Sequence, residues 1–309
     1  MTMQDNYKIA ENFLKEKNIE YYRNHPFREF SSFYIGGNID LYIVVKKIQE
    51  FLDIANFLHT HTIDYFVMGD TSKVIVSDNG YNGIIVSLEG EFEYFEFLDD
   101  DVLVANSSSI LERLSHEARI RNLSGLEFVA LVNTRLGVAV YDKLESFGTS
   151  ILNFVVSVKF FDKKNCNVVE LNKDEYLALT DKEKEFIIIL SVVFKLEKDT
   201  PERIDNRIDW FRYIRGSVSP MESYIGPVFE DCHEIKAYEM VERVGGLAMK
   251  LGHMRWHKRF PNYIVNECLY DNNNELFKAQ DVINLIEDTR KKIEQHYAFN
   301  PKINVVLLS

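Results

Sequence analysis

Hydrophobic and polar positions along the chain follow two periods, and together they predict a mixed α/β protein. Apolar residues at helical spacing predict amphipathic helices at 4–18, 48–58, 111–120, 235–244 and 279–296, with a further helix that begins at Pro201. Runs rich in β-branched and aromatic residues predict strands at 39–45, 65–68, 74–76, 84–88, 92–97, 102–105, 154–161, 168–169, 263–265 and 303–308. The run FIIILSVVF at 186–194 is also predicted to be a buried strand.

The order of these elements predicts a two-part chain with a boundary near residue 196. Segment 1–20 is an N-terminal helix, segment 21–196 mixes strands with helices, and segment 197–309 starts a second domain with the Pro201 helix. A chain of 309 residues of which 46% are hydrophobic is long enough for two cores.

Charge and leader signals narrow the class of protein. A net charge of -12 and a pI near 5.2 argue against nucleic acid or an anionic membrane surface as partners, because both require a basic face. Run 186–194 is far shorter than the roughly 20 residues that cross a bilayer, so membrane insertion is not expected. The polar start of the chain does not resemble a signal peptide, which predicts a cytoplasmic protein.

Cysteine usage agrees with that location. Cys166, Cys232 and Cys268 are an odd number at wide spacing, without CxxC pairs. We therefore expect reduced thiols.

Four blocks in a fixed order carry a resemblance to a known family. They are FYIGGNIDL at 33–41, IVSD at 75–78, SGLEF at 124–128 and NYIVN at 262–266. The chain from about residue 27 onward resembles the bacterial MurB family, the UDP-N-acetylenolpyruvoylglucosamine reductases. The resemblance implies an FAD-binding domain of the vanillyl-alcohol-oxidase (PCMH) type followed by a smaller α/β substrate domain. Family enzymes pass a hydride from NADPH through FAD to the enolpyruvyl group of a UDP-sugar, giving UDP-N-acetylmuramate for the peptidoglycan of the cell wall.

The loops that hold the FAD diphosphate in the family are altered here. The family's GGGSN reads GDTSK at 69–73, its PGTVGGA reads NTRLGVA at 133–139, and its MNAGAYG reads DKLESFG at 142–148. Glycines let backbone amides converge on an anion through conformations with positive φ, so their loss predicts that no cofactor binds. If FAD is retained, the residues expected to hold it are Gly36, Gly37, Gly69, Ser72, Lys73, Ser77 and Gly137.

The catalytic positions implied by the resemblance are altered as well. Pro227 stands where the family has the serine of GSVF, the acid that protonates the substrate carbon, and proline has no exchangeable proton. Leu177 falls at the arginine of YRxS, and Lys302 at the glutamate of a PEV-like motif. No catalytic residue is therefore expected. Lys302 is either a replacement acid or an ordinary surface lysine.

The stretch GHMRWHKRF at 252–260 offers two further hypotheses. His253 and His257 stand four apart, as on one helical face that binds a metal, but no third ligand accompanies them, so we expect no metal site. Basic and aromatic residues in this region predict a surface that contacts a protein partner, the alternative being a solvated loop. Its members are Lys250, Arg255, Trp256, Lys258 and Arg259.

The altered motifs leave three hypotheses for function. The first is a non-catalytic MurB-fold protein, a scaffold or regulator that binds an unidentified protein partner. The second is a diverged FAD- and NADPH-dependent UDP-N-acetylenolpyruvoylglucosamine reductase. The third is a sensor that holds a UDP-sugar or nucleotide without turnover.

Overall fold

A computed structural model describes residues 3–215, 223–232, 235–267 and 277–309. The helices are α1 Met3–Glu16, α2 Ile48–Thr60, α3 Leu111–Ile120, α4 Leu136–Tyr141, α5 Lys173–Ala178, α6 Asp181–Lys184, α7 Pro201–Arg215, α8 Ala237–Arg243 and α9 Ala279–Tyr297. The first strands are β1 Glu20–Pro26, β2 Asn38–Val45, β3 Phe66–Met68, β4 Val74–Val76, β5 Tyr81–Leu88, β6 Phe95–Leu98, β7 Val102–Asn106, β8 Leu123–Ser124 and β9 Glu145–Ser146. The others are β10 Thr149–Ser150, β11 Val155–Asp162, β12 Asn167–Asn172, β13 Ile187–Lys195, β14 Glu197–Lys198, β15 Lys250–Leu251, β16 Met254–Trp256, β17 Ile264–Asn266 and β18 Val306–Leu308.

The chain folds into two compact units that alternate along the sequence. Unit 1 comprises residues 1–21, 42–69 and 84–215, and unit 2 comprises residues 22–41, 70–83 and 216–309. These units are not the consecutive segments 1–20, 21–196 and 197–309 that the sequence predicts as domains. The largest difference is α7, which belongs to unit 1 although it lies beyond residue 196. The division into family-type domains stays a prediction.

Unit 1 is built on a five-stranded antiparallel sheet in the order β12-β11-β13-β7-β6. The apolar run 186–194 forms its central strand β13, whose Leu190, Val192 and Phe194 are buried. A strand with neighbours on both sides and a covered face needs such a continuous run of apolar residues. The predicted buried strand is therefore confirmed. The strands predicted at 92–97 and 102–105 correspond to β6 and β7, which pair as an antiparallel hairpin.

A second, four-stranded sheet has the order β1-β2-β5-β3, with β3 and β5 parallel. Helix α2 buries one stripe of residues at helical spacing, namely Phe51, Ile54, Ala55 and Leu58. The amphipathic pattern at 48–58 thus predicts a helix that the structure contains.

Unit 2 combines a three-stranded sheet, β15-β16-β17, with helices α8 and α9, and it contains the parallel pair β4 and β18. Helix α9 buries Val282, Leu285, Ile286, Thr289 and Ile293, which recur every three or four residues and so share one face. That face joins one core with side chains from α8 and β16. The predicted helix at 279–296 is confirmed.

His253 and His257 do not share a helical face, because Gly252 takes a φ of +54° in a tight turn and the chain forms the hairpin of β15 and β16 there. One predicted strand begins later than expected. Segment 92–97 does not begin as a strand, because Gly90–Glu93 forms a 3-10 turn and the strand starts at Phe95. None of the helices in the described ranges is long and apolar enough to cross a membrane.

Candidate functional site

Two of the positions that the family resemblance marks as catalytic lie together in unit 2. The backbone at residues 228–230 pairs with the backbone at 302–304 as a short antiparallel bridge. The amide of Glu230 donates to the carbonyl of Lys302 at 3.0 Å, and the amide of Asn304 donates to the carbonyl of Val228 at 2.7 Å. Pro227 directly precedes this bridge. The fold thus brings the positions of the family serine and glutamate to one place.

A buried asparagine holds the loop around Pro227. The side-chain Oδ1 of Asn262 accepts from the amide of Phe229, and its Nδ2 donates to the carbonyl of the same residue, both at 2.9 Å. A Cβ on Gly226 would lie 2.8 Å from the carbonyl oxygen of Asn262, so this position requires glycine. The segments GPVF and NYIVN therefore form one rigid element.

The bridge carries a charged pair. Lys302 Nζ lies 3.0 Å from Glu230 Oε1, and the two side chains are 70% and 42% exposed. An ammonium group that is both exposed and paired supplies an exchangeable proton, which Pro227 lacks. The residue that the sequence offers as a replacement acid is therefore on the same bridge as Pro227, with a carboxylate beside it.

Three of the candidate cofactor residues, Gly36, Gly37 and Ser77, lie together in unit 2. The amide of Gly37 donates to the carbonyl of Ser77 at 2.9 Å, and a Cβ on Gly37 would meet the amide nitrogen of Gly80 at 2.5 Å. Gly36 takes a φ of +101°. These glycines are needed for the close approach of two backbone segments, which is a packing role.

The next residue along, Asp78, has a structural role. Its Oδ1 and Oδ2 accept from the first two amides of α9 at 2.8 and 2.9 Å. A carboxylate at this position satisfies amides that the helix cannot pair internally and complements the helix dipole. The IVSD block therefore caps α9.

Ser72 and Lys73 lie in the 3-10 turn Thr71–Lys73 of unit 2. The carbonyl of Ser72 accepts from the amide of Gly226 at 3.1 Å, which ties the predicted phosphate loop to the GPVF segment. In the stretch 69–73 every residue has negative φ. The anion cradle that depends on left-handed residues is not formed by this loop.

In unit 1, Gly69 lies against the side chain of Val138, the residue that follows Gly137. A Cβ on Gly69 would lie 2.3 Å from Val138 Cγ2, and one on Gly137 would lie 3.0 Å from Ser107 Cβ. The amide of Gly137 donates to the carbonyl of Ser107 at 2.7 Å. The side chain of Val138 thus covers Gly69, and the first amides of α4 are engaged by backbone carbonyls.

Arg135 is the cation at the start of α4. Its Nη1 donates to the carbonyl of Leu88 at 2.8 Å and to Ser108 Oγ at 3.1 Å. Burial raises the pKa of the neighbouring Tyr42, while the guanidinium of Arg135 acts in the opposite direction. Arg135 is therefore the cationic side chain of the stretch 133–139, and a guanidinium is a group that can bind phosphate oxygens.

Leu177 lies on α5 in unit 1 and is 38% exposed. The preceding residue, Tyr176, is fully buried under the same helix. An isobutyl group offers no charge to a substrate, so nothing at this position replaces an arginine.

The predicted partner surface is divided by the hairpin of β15 and β16. Trp256 is 0% exposed, and its Nε1 donates to Thr289 Oγ1 at 2.9 Å, so it is a core residue and not a surface contact. Lys250 and Arg255 both pair with Glu267 and hold the pKa of that carboxyl below its usual range. The remaining members, Lys258 and Arg259, are exposed. Their binding of a partner stays a prediction.

His257 shapes the turn after β16. Its Nδ1 accepts from the amides of Arg259 and Phe260 at 3.1 and 2.9 Å. His253 stacks edge-on against Phe277, with ring centroids 5.8 Å apart. Across the described ranges no cluster of three His, Cys, Asp or Glu side chains has the arrangement of a metal site.

Sequence reasoning missed three of these features. The contact of Arg135 with Ser108 had a signal in the serine triplet at 107–109, and Glu230 lies three residues after Pro227. Asn262 opens the block NYIVN, and nothing in that block signals its hydrogen bonds to Phe229. Each becomes visible only when distant segments are paired.

No protein-family model matches the chain. It is 27% identical over 279 residues to a protein of Bacillus pumilus named UDP-N-acetylenolpyruvoylglucosamine reductase, which covers 89% of each chain. A protein of the same name from Caldicellulosiruptor bescii is 28% identical over 306 residues, covering 96% of this chain and 94% of that one. This end-to-end similarity supports membership of the MurB family.

The fold agrees with this membership. The crystal structure of MurB from Thermus caldophilus matches with a TM-score of 0.74, 19% identity, and coverage of 94% of this chain and 99% of that one. The predicted α/β fold, an FAD-binding domain of PCMH type with a smaller α/β domain, is confirmed.

The expectation that the chain has no cofactor is wrong. Proteins that match it over nearly their whole length are named reductases, and its fold is that of a MurB reductase, which points to FAD as the cofactor. The sequence argument failed because it considered one way of holding a diphosphate, the glycine amide nest. A guanidinium such as that of Arg135 binds phosphate groups as well.

Proposed function

We propose that the chain is a diverged flavin-dependent reductase of the MurB family that acts on a UDP-linked enolpyruvyl sugar. The observation that carries the proposal is the end-to-end correspondence with proteins of that name, 96% of this chain and 94% of the relative in one case. The bridge between residues 228–230 and 302–304 supports it, because the segments that would meet the substrate are held in place.

The chemistry that FAD supplies when bound is hydride transfer from NADPH to the enolpyruvyl double bond. In unit 1 we assign the diphosphate to Arg135, whose guanidinium is fixed by the carbonyl of Leu88 and by Ser108 Oγ. Bidentate donors in a fixed plane match phosphate oxygens well.

The proton that completes the reduction cannot come from Pro227. We assign it to Lys302, whose ammonium pairs with Glu230 at 3.0 Å on the same bridge. The loss of a positioned general acid lowers a rate by about 10² to 10⁴. Lys302→Met is therefore expected to lower kcat by roughly that factor while the flavin stays bound.

The experiment begins with the purified chain reconstituted with FAD. We expect a flavin absorption spectrum, release of FAD on denaturation, and NADPH oxidation that requires the UDP-linked enolpyruvyl substrate. Arg135→Met should weaken FAD binding, whereas Arg121→Met, an exposed arginine of the same unit, should not. A flavin-loaded protein that oxidises no NADPH with this substrate would refute the proposal.

A second candidate is a MurB-fold protein without turnover, and the observation that favours it is Pro227 at the position of the family acid. It would serve as a scaffold or regulator for a protein partner, or as a sensor of a UDP-sugar or nucleotide. A rise in melting temperature with the UDP-sugar, without NADPH oxidation, would select it. A cytoplasmic location is part of both proposals.

A further inference from the structure

Unit 1 contains a lysine that is buried without an acidic partner. Lys184 ends helix α6 and is 6% exposed. In the described part of the chain no carboxylate lies within ion-pair distance of its Nζ. Glu127, the other charged residue that is buried in the described ranges, has hydrogen-bond partners: its carboxylate accepts from Arg207 and from the amide of Gly125. An unpaired buried ammonium is costly, so its retention calls for a ligand.

A second hydrogen-bond donor without an acceptor lies beside Lys184. Its Nζ sits over the ring of Tyr176, 5.5 Å from the centroid. Tyr176 is 0% exposed, and within the described ranges its buried hydroxyl has no hydrogen-bond partner. Buried hydroxyls of tyrosine normally find one.

A second ammonium group completes the cluster. Lys143 follows α4 in a left-handed conformation with a φ of 51°, and its side chain approaches Lys184. Burial lowers the pKa of Lys184, and the charge of Lys143 lowers it further, while Asp181 acts weakly in the opposite direction. On the hydroxyl side, Tyr141 and Asp142 are the neighbouring titratable groups, and both oppose ionisation of Tyr176.

We propose that Lys143, Lys184 and Tyr176 form a binding site for a small oxyanion, the phosphate or carboxylate group of a metabolite. Two ammonium groups and a hydroxyl can all donate hydrogen bonds, and within the described ranges neither lysine has a carboxylate partner and the hydroxyl has no hydrogen-bond partner. An oxyanion would supply the missing acceptor. The charge of the ligand also removes the repulsion between the two lysines. The site does not depend on the reductase function proposed above.

The test is thermal unfolding of the full chain in sodium phosphate, in sodium acetate and in sodium chloride at equal ionic strength. We expect phosphate or acetate to raise the melting temperature above that in chloride, increasingly with concentration. Which of the two acts more strongly identifies the ligand class. Lys184→Met should weaken the binding at least about tenfold, because a charged hydrogen bond is lost. Lys182→Met, on the exposed side of the same helix, should not weaken it.

The dependence on pH gives a second readout. Because the folded pKa of Lys184 lies below the unfolded value of 10.5, the protein in chloride becomes more stable as pH rises through the folded pKa. The oxyanion needs the charged lysine, so its stabilising effect must fade over the same rise in pH. The two trends are opposite in sign.

Two results would overturn the proposal: no stabilisation beyond chloride by either anion, or equal stabilisation of the protein and its Lys184→Met variant. If Lys184→Met does not fold, the exposed Lys143→Met variant decides, because it must lose most of the anion effect. An unchanged anion effect in that variant would equally refute the site.

Discussion

Helix α7 is fastened to the rest of unit 1 by a buried carboxylate, and this attachment allows a quantitative prediction. Arg207 on α7 donates from Nε to Glu127 at 2.9 Å, and from Nη2 to Asp199 at 2.6 Å and Ser124 Oγ at 3.1 Å. The Glu127 side chain is 6% exposed, whereas that of Arg207 is 38% exposed. The perturbation is Arg207→Met, which keeps the aliphatic stem and removes the guanidinium.

The expected loss of stability depends on the hydrogen bonds that Glu127 keeps after Arg207→Met. Removing one partner of a buried ion pair costs about 3 to 5 kcal/mol, because the other charge stays buried. Glu127 keeps its hydrogen bond from the amide of Gly125 at 2.7 Å, and the partial exposure of Arg207 shows that water can reach the gap. We therefore expect a loss at or below the lower end, about 2 to 3 kcal/mol in the free energy of unfolding of unit 1.

The assay uses the two tryptophans of the chain, Trp210 on α7 and Trp256 in unit 2. In a Trp256→Phe background, the fluorescence of Trp210 follows α7 through urea denaturation. The matched control is Arg119→Met, which removes the ion pair of Arg119 with Asp205 of the same helix, where both side chains are about two-fifths exposed. Surface pairs contribute little, so the control should move the midpoint far less. Equal losses in the two variants would refute the reasoning, and so would full stability of Arg207→Met.

Three further predictions concern unit 2. Trp256→Phe removes the buried hydrogen bond to Thr289 and should lower its stability by about 1 to 3 kcal/mol, while Trp210→Phe at the surface of unit 1 should be neutral in a calorimetric scan. Asp78→Ala removes the cap of α9 and should cost about 1 kcal/mol in urea denaturation, with Asp78→Asn recovering most of it. The third prediction concerns Asp231. Burial raises the pKa of this carboxyl, but hydrogen bonds from the ammonium of Lys236 and the amide of Ala237 hold the pKa below its ordinary value of 3.8. Its stabilising effect is present above that value and is lost as pH falls through the lower folded pKa, so Asp231→Asn should flatten the acid end of the stability profile.

The long elements could be predicted from the sequence because each buries one regular set of side chains. Helix α9 has buried residues every three or four positions, and strand β13 is a continuous apolar run, so both can be recognised without knowledge of distant contacts. Helices α5 and α6 were missed although both carry capping boxes, Asn172 with Glu175 and Thr180 with Glu183. Their apolar content is too small for a periodic signal, so local hydrogen bonds alone define them.

The site was harder to predict because its chemistry arises between segments far apart in the chain. Trp256 lies among basic residues in the sequence, yet the alternation of β16 points it into the core while Arg255 faces Glu267. The pairing of Glu230 with Lys302 joins residues more than seventy apart, and no local pattern announces it. The replaced glycines at 69–73 and 133–139 led to the wrong expectation that no cofactor binds, because they say nothing of the guanidinium of Arg135 in the second stretch.

Unit 2 is assembled from three separate stretches of the chain, and this has a consequence for folding during synthesis. Strand β4 at Val74–Val76 pairs in parallel with β18 at Val306–Leu308, so the early stretches of this unit wait on the ribosome until nearly the whole chain has emerged. Contacts of such long separation in sequence slow folding, and the exposed apolar segments are at risk of aggregation in the meantime. A gene fragment that stops at the end of α7 would encode unit 1 together with two unpartnered pieces of unit 2, and we expect it to depend on chaperones for its yield.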